Sequence, residues 1–221
     1  NLLQLDPLIV EEVSPWGIIP GINSYGITEY AEAYDNPGNN YNQINGIKAW
    51  INIALSVSST SSVRFKVYDN NNGVPGAVLG WKDVYIQNMT SNFVHTIYFD
   101  DPVIITGDFF IGYQINAVGN NDQFAVSIAD DRGAGGNSTM FIRYNGSWLA
   151  SSQSAVVNFT HTSMGLEPIA CNTTDVEEFA YETDNVIVFP NPSNDIVNLM
   201  FGKQFNDESL IKVYDMMGNL L

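Results

Sequence analysis

Alternation with a period of two limits this chain more than any other property. Val63, Phe65 and Val67 alternate with Arg64, Lys66 and Tyr68, and Ile47, Ala49, Ile51, Ile53 and Leu55 alternate with Lys48, Trp50 and Asn52. Successive side chains of a strand point to opposite faces, so each run buries one face and wets the other. Similar runs cover Trp81 to Gln87, Phe93 to Phe99, Phe109 to Ile115, Phe124 to Ile128, Met140 to Tyr144 with Trp148, and Val156 to Thr160. Turn formers separate them: the stretch Asp69 to Gly76, then Asp100-Asp101-Pro102, which ends the run before it, and Asn145-Gly146, the strongest short hairpin signal. Nothing reads as a long amphipathic helix. Roughly eight to ten strands around one core predict an all-β fold, a jelly-roll-like antiparallel β-sandwich.

Charge narrows the partners. The chain holds 24 acidic and 8 basic residues, a net charge of −16. Phosphate backbones need clustered Lys and Arg, so nucleic acid is excluded as a partner, and an anionic membrane surface is disfavoured for the same reason. No run of apolar residues is long enough for a membrane-spanning helix. The single cysteine, Cys171, has no partner for a disulfide.

Four segments are predicted: an N-terminal extension over 1–16, the sandwich over 17–167, an acidic linker over 168–184 and a small second unit over 185–221. The linker is marked by Asp175, Glu177, Glu178, Glu182 and Asp184 among few periodic apolar residues.

Catalytic patterns are missing from the sequence: there is no Walker loop, no His-Glu-x-x-His helix and no Gly-x-Ser-x-Gly elbow. His95 shares its phase with Phe93, Ile97 and Phe99, and His161 with Val157 and Phe159, so both read as packed, hydrogen-bonded strand residues. Cys171 reads as a bystander thiol. No cofactor is expected beyond a structural calcium ion. Its candidate ligands are Asp69, Asn71, Asp130 and Asp131, with the turns Asp35 to Asn40 and Asp100-Asp101 also offering oxygens; none has EF-hand spacing, and Asp, Asn and Gly are ordinary turn formers. Aromatic residues on polar phases favour ligand binding, because sugar rings stack their C–H faces on flat side chains. Trp50 falls beside Lys48 and Asn52, and Trp81 shares a phase with Asp83 and Tyr85, so Trp50, Trp81 and Tyr85 are the candidate binding residues. Asn-x-Ser/Thr sequons begin at Asn88, Asn137, Asn145, Asn158 and Asn172, and composition alone accounts for them.

The end of the chain carries a resemblance. Val186-Ile187-Val188-Phe189-Pro190-Asn191-Pro192 runs a short apolar strand into Pro-Asn-Pro, and Ile211 to Leu220 closes on Gly218-Asn219. This is similar to the start of the C-terminal sorting domain of the bacterial type IX secretion system, with Phe189, Pro190, Asn191, Pro192 and Gly218 as the matching residues. The resemblance implies a partial immunoglobulin-like β-sandwich, shorter than such domains usually are and so expected to be truncated. It also implies the secretion machinery as partner and an extracellular or outer-membrane-surface location. Prior export makes Asn1 an expected mature or artificial terminus. Gly21 to Glu32, Val67 to Leu79, Phe99 to Val103 and Gly107 to Gly112 together resemble accessory β-sandwich domains that precede this sorting domain in secreted Bacteroidetes proteins. That resemblance implies a surface module without catalytic residues. The leading reading is a non-catalytic module for adhesion or glycan binding; the alternative is an architectural spacer of a larger secreted peptidase or adhesin; a stand-alone hydrolase ranks last.

Overall fold

A computed structural model describes residues 8–9, 11–13, 17–119, 121–172, 186–189 and 198–201. The chain divides into two compact units, Asn1–Thr173 and Thr174–Leu221. The strands of the first are β1 (Leu8–Ile9), β2 (Glu11–Val13), β3 (Gly17–Ile19), β4 (Glu29–Tyr34), β5 (Gln43–Leu55), β6 (Ser62–Asn71), β7 (Val74–Tyr85), β8 (Phe93–Ile104), β9 (Phe109–Asn116), β10 (Gln123–Val126), β11 (Ile128–Ala129), β12 (Met140–Tyr144), β13 (Ser147–Ala150) and β14 (Leu166–Cys171). In the second unit β15 (Val186–Phe189) pairs antiparallel with β16 (Asn198–Phe201). Phe189 therefore ends a strand, while Pro190, Asn191, Pro192 and Gly218 lie outside the described residues.

Two antiparallel sheets face each other. One has six strands in the order β13-β12-β4-β9-β6-β7; in the other, β5 pairs with β10, β14 and β8. The inward phase of β6, Val63, Phe65 and Val67, is fully buried, as alternation predicts. Tyr113 joins Tyr30, Phe65 and Phe124 in a chain of ring contacts at centroid distances of 5.4, 6.1 and 5.5 Å. Its hydroxyl and that of Tyr30 donate to the Pro20 and Gly21 carbonyls at 2.9 and 2.8 Å, so neither buried phenol is left unpaired. Both β-hairpins in the six-stranded sheet turn on Asn-Gly. Asn72 and Gly73 (φ 55° and 85°) join β6 to β7, and Asn145 and Gly146 (φ 50° and 80°) join β12 to β13. Two consecutive left-handed residues make the turn whose twist matches the strands.

Several local expectations are corrected. The phase of β5 flips at its end: Ala125 pairs with Ile53 but Val126 with Ile51, so Asn52 is an extra residue. Beyond this bulge Ala54 is buried and Leu55 is 56% exposed, the reverse of strict alternation. Asp100-Asp101-Pro102 does not end β8. Tyr98 pairs with Gly46 and Val103 with Ile44, so the segment between bows out of the ladder, where proline's missing N–H costs nothing. Val156 to Thr160 is not a strand: Ala155–Val157 forms a 3-10 turn and Asn158 and Phe159 are left-handed (φ 53° and 55°). The sandwich also extends past Glu167, because β14 pairs with β5 from Leu166 to Cys171 inside the predicted linker. The N-terminal extension contributes ladder as well, β1 to β11 and β2 to β3.

Candidate functional site

The outer face of the six-stranded sheet carries one polar row across its strands. Cross-strand pairing puts Trp148 opposite Arg143, Glu29 opposite Gln114, Gln114 opposite Arg64 and Arg64 opposite Asp83. Glu29 is only 4% exposed although it points away from the main core. Its two oxygens are shared among Lys66, Arg143 (Nη1 to Oε2, 2.7 Å) and the Tyr68 hydroxyl (2.9 Å). Lys66, 7% exposed, also donates to Gln114 Oε1 at 2.7 Å. Burial alone pushes the Glu29 carboxyl up, but the bonds from Lys66, Arg143 and Tyr68 outweigh it and hold the group below the ordinary carboxylate range. A small apolar cluster lies beside these charges: Ala31, Tyr68 and Phe110 are buried, with Phe141 and Trp148 packed on them. Trp148 meets Tyr68 edge-on at 5.6 Å, and Phe141 meets Phe110 at 5.2 Å. That cluster fills part of the outer face and leaves the β7 edge open.

Trp81 and Tyr85 stand on that edge, 52% and 50% exposed, with Asp83 between them. Arg64 donates to both Asp83 oxygens, each at 2.8 Å, and its guanidinium lies 3.9 Å from the Trp81 ring centroid. A fork bonded at two points has little rotamer freedom left, so one face of Trp81 is backed by a fixed plane and the indole is held in place. The Arg64 fork holds the Asp83 carboxyl below its usual range.

Trp50 lies elsewhere. It sits on β5 in the other sheet and pairs with Val94, so the three predicted binding residues divide between the two outer faces of the sandwich. Trp50 lines a pocket of 210 Å³ with Ile51, Asn52, Asn92, Phe93, Val94 and Ser127. Sequence reasoning did not find Arg64, Asp83, Glu29, Lys66 or Arg143 as site residues. Arg64 and Asp83 were visible as outward-phase neighbours of Trp81, but only the pairing register joins them.

The predicted calcium ligands fall into two separate segments, Asp69 and Asn71 at the end of β6 and Asp130 and Asp131 just after β11. The Asp69 Oδ1 atom is buried and without a hydrogen bond, close against Gly76, while Asn71 accepts from Asn72 at 3.2 Å. Asp130 accepts from the Asp131 backbone N–H at 2.9 Å. Asp131 accepts from the N–H groups of His161 (2.9 Å) and Gly133 (3.1 Å), which hold its carboxyl below the ordinary range. Among the described residues no three His, Cys, Asp or Glu side chains converge. His95 Nε2 bonds the Thr90 backbone, and His161 Nδ1 lies 2.8 Å from the Gly136 carbonyl. Cys171 Sγ accepts from Asn45 at 3.2 Å.

Residues 187–221 match the family described as Secretion system C-terminal sorting domain. No curated protein matches the chain. Two solved structures share its fold. One contains the cysteine protease and lectin-like domains of Cwp84, a surface layer associated protein of Clostridium difficile, at 12% identity and a TM-score of 0.50, covering 66% of this chain and 32% of that one. The other is the clostridial cysteine protease Cwp84 after propeptide cleavage, again at 12% identity and a TM-score of 0.50, covering 76% and 38%. This chain thus spans about a third of the length of the solved chains it resembles. Among the described residues no helix is long and apolar enough to cross a membrane. The C-terminal segment is a type IX secretion sorting domain, and the protein is an exported one of the Bacteroidetes type, secreted or attached at the cell surface.

Proposed function

We propose that the sandwich is a non-catalytic carbohydrate-binding module that serves adhesion in an exported protein. The observation that carries this reading is the β7 edge, where two half-exposed aromatic rings flank a fixed Arg64–Asp83 pair. Trp81 offers an open ring face for a sugar's C–H surface, and the unspent N–H groups of Arg64, with Gln114 and the Tyr85 hydroxyl, face the hydroxyls such a ring would bring. Preorganisation matters here because the rotamers are already fixed before the ligand arrives. One of the two clostridial chains of the same fold includes a domain described as lectin-like, which is in line with this reading.

A glycan array probed with the full chain tests it. We expect retention of a subset of oligosaccharides, with Trp81→Ala weakening binding at least tenfold, equivalent to about 1.4 kcal/mol, and Tyr85→Ala less. Arg64→Met should weaken binding through loss of the plane behind the indole while leaving the fold intact, since an exposed pair contributes about 0–1 kcal/mol. Silence across the array would overturn the reading in favour of an architectural spacer.

A further inference from the structure

The pocket beside Trp50 stands apart from the Trp81 edge, and its framework is built from backbone. The Trp50 N–H donates to the Gly165 carbonyl (2.8 Å), the Ser127 N–H to the Trp50 carbonyl (2.8 Å) and the Gly165 N–H to the Ser127 carbonyl (2.7 Å). This closed triangle fixes Trp50 and Ser127 relative to each other. Gly165 has to be glycine here, because a Cβ would stand 2.8 Å from the Trp50 Cβ. On the facing side the Asn92 N–H donates to the Asn52 carbonyl at 3.1 Å, and the left-handed backbone of Asn92 (φ 57°) turns the chain into β8. The bulge at Asn52 joins this rim to the β5 strand.

Its polar groups are unspent. Ser127 is 7% exposed and lines the pocket, yet its hydroxyl has no hydrogen-bond partner among the described residues. The side-chain amides of Asn52 and Asn92 have none either. The Ser127 hydroxyl is not among the buried atoms left without a partner, so it is reached by solvent through the pocket and stays available to an occupant's hydroxyl. Trp50, Phe93 and Val94 supply apolar wall, and no lining residue is charged. At 210 Å³ the space is smaller than the roughly 300–1,000 Å³ of sites that take drug-sized ligands. It suits one ring, not a chain.

We infer that this pocket is a sugar site that takes a single neutral ring, the end unit of a glycan, against Trp50, with Asn52, Asn92 and Ser127 bonding its hydroxyls. A charged sugar has no counter-ion there and loses its hydration on entry. The site shares no residue with the β7 edge, so the two readings stand or fall separately.

The test is a titration of the full chain, followed by ligand-observed NMR, with the methyl glycosides of glucose, galactose, mannose and N-acetylglucosamine and with glucuronic acid as the charged control. At least one neutral glycoside should bind saturably and glucuronic acid should not. Ser127→Ala removes a hydroxyl that bonds nothing in the protein, so it spares the fold yet should weaken that glycoside several-fold; Asn52→Ala should weaken it at least tenfold. Running the same titrations on a Trp81→Ala background removes any sugar held at the β7 edge from the reading, so that the Ser127→Ala and Asn52→Ala effects report on this pocket alone. The inference fails if no neutral glycoside binds, if glucuronic acid binds as well, or if Ser127→Ala and Asn52→Ala leave the affinity unchanged.

Discussion

Glu29→Ala is expected to destabilise the sandwich by about 3–5 kcal/mol, the cost of breaking a buried ion pair from one side. The substitution deletes no apolar contact worth that much. It strands Lys66, which is 7% exposed and would keep only the neutral Gln114 oxygen as a hydrogen-bond acceptor, with the Tyr68 ring 5.8 Å away. Arg143 suffers less, because almost half of its side chain already meets water. Lys66→Met should cost less than Glu29→Ala, since Glu29 retains Arg143 and Tyr68. The double replacement Glu29→Ala with Lys66→Met should recover part of the loss, giving a favourable coupling of more than 1 kcal/mol in a double-mutant cycle. Urea denaturation of the four proteins measures this, and a single-mutant loss below 1 kcal/mol would show that the cluster is hydrated. Acid should mimic the substitution. The folded-state pKa of Glu29 lies below the ordinary value of 4.5, so its contribution is present above pH 4.5 and is lost as pH falls through the depressed folded pKa.

This cluster shows where sequence stops being legible. The inward phase of β6 and both Asn-Gly turns follow from local rules, because period and turn chemistry act over a few residues. Register is different. Counting outward from Asn72-Gly73 puts Arg64 opposite Trp81, but β7 contributes an extra residue at each of two bulges, and Arg64 meets Asp83 instead. Each bulge exchanges a ladder bond for twist, a trade decided by packing against the rest of the sheet. The same reason hid the burial of Glu29 and Lys66. Lys66 falls on the wetted phase of its run and Glu29 lies in no run that the period marks, whereas the packing of Trp148 and Phe141 onto Tyr68 and Phe110 covers that part of the face. Trp50 and Trp81 were both legible as outward-facing tryptophans, but which sheet each belongs to depends on pairings between strands distant in sequence. Pro168 to Cys171 looked like linker because a strand with no fully buried residue after Leu166 has little apolar period to read.

Raising the pH from 5 to 9 is expected to lower the stability of the wild-type sandwich, and Glu32→Gln to remove most of that dependence. Glu32 points into the core from β4, 3% exposed, where its carboxylate accepts from the Met164 backbone N–H at 2.8 Å and from the Thr139 hydroxyl. Arg132 exerts a favourable field from nearby, but burial dominates and pushes the carboxyl up to about 8. The folded protein therefore holds a proton between pH 4.5 and 8 that the unfolded chain has released. Stability from this group is full below pH 4.5, declines across that window and is gone above pH 8, with a ceiling on the order of 4 kcal/mol. For a unit of this size the loss corresponds to a Tm lower by roughly 10 °C at pH 9 than at pH 5. Glutamine keeps an acceptor for Met164 and offers its amide to Thr139 without ever ionising, so the variant should match the wild type at pH 5 and exceed it at pH 9. Other carboxylates and the overall charge of −16 also respond to pH, but they are common to both proteins, and the difference between the two melting curves isolates Glu32. Parallel curves across the whole range would mean that Glu32 is ionised in the folded state at neutral pH, with Arg132 compensating its burial.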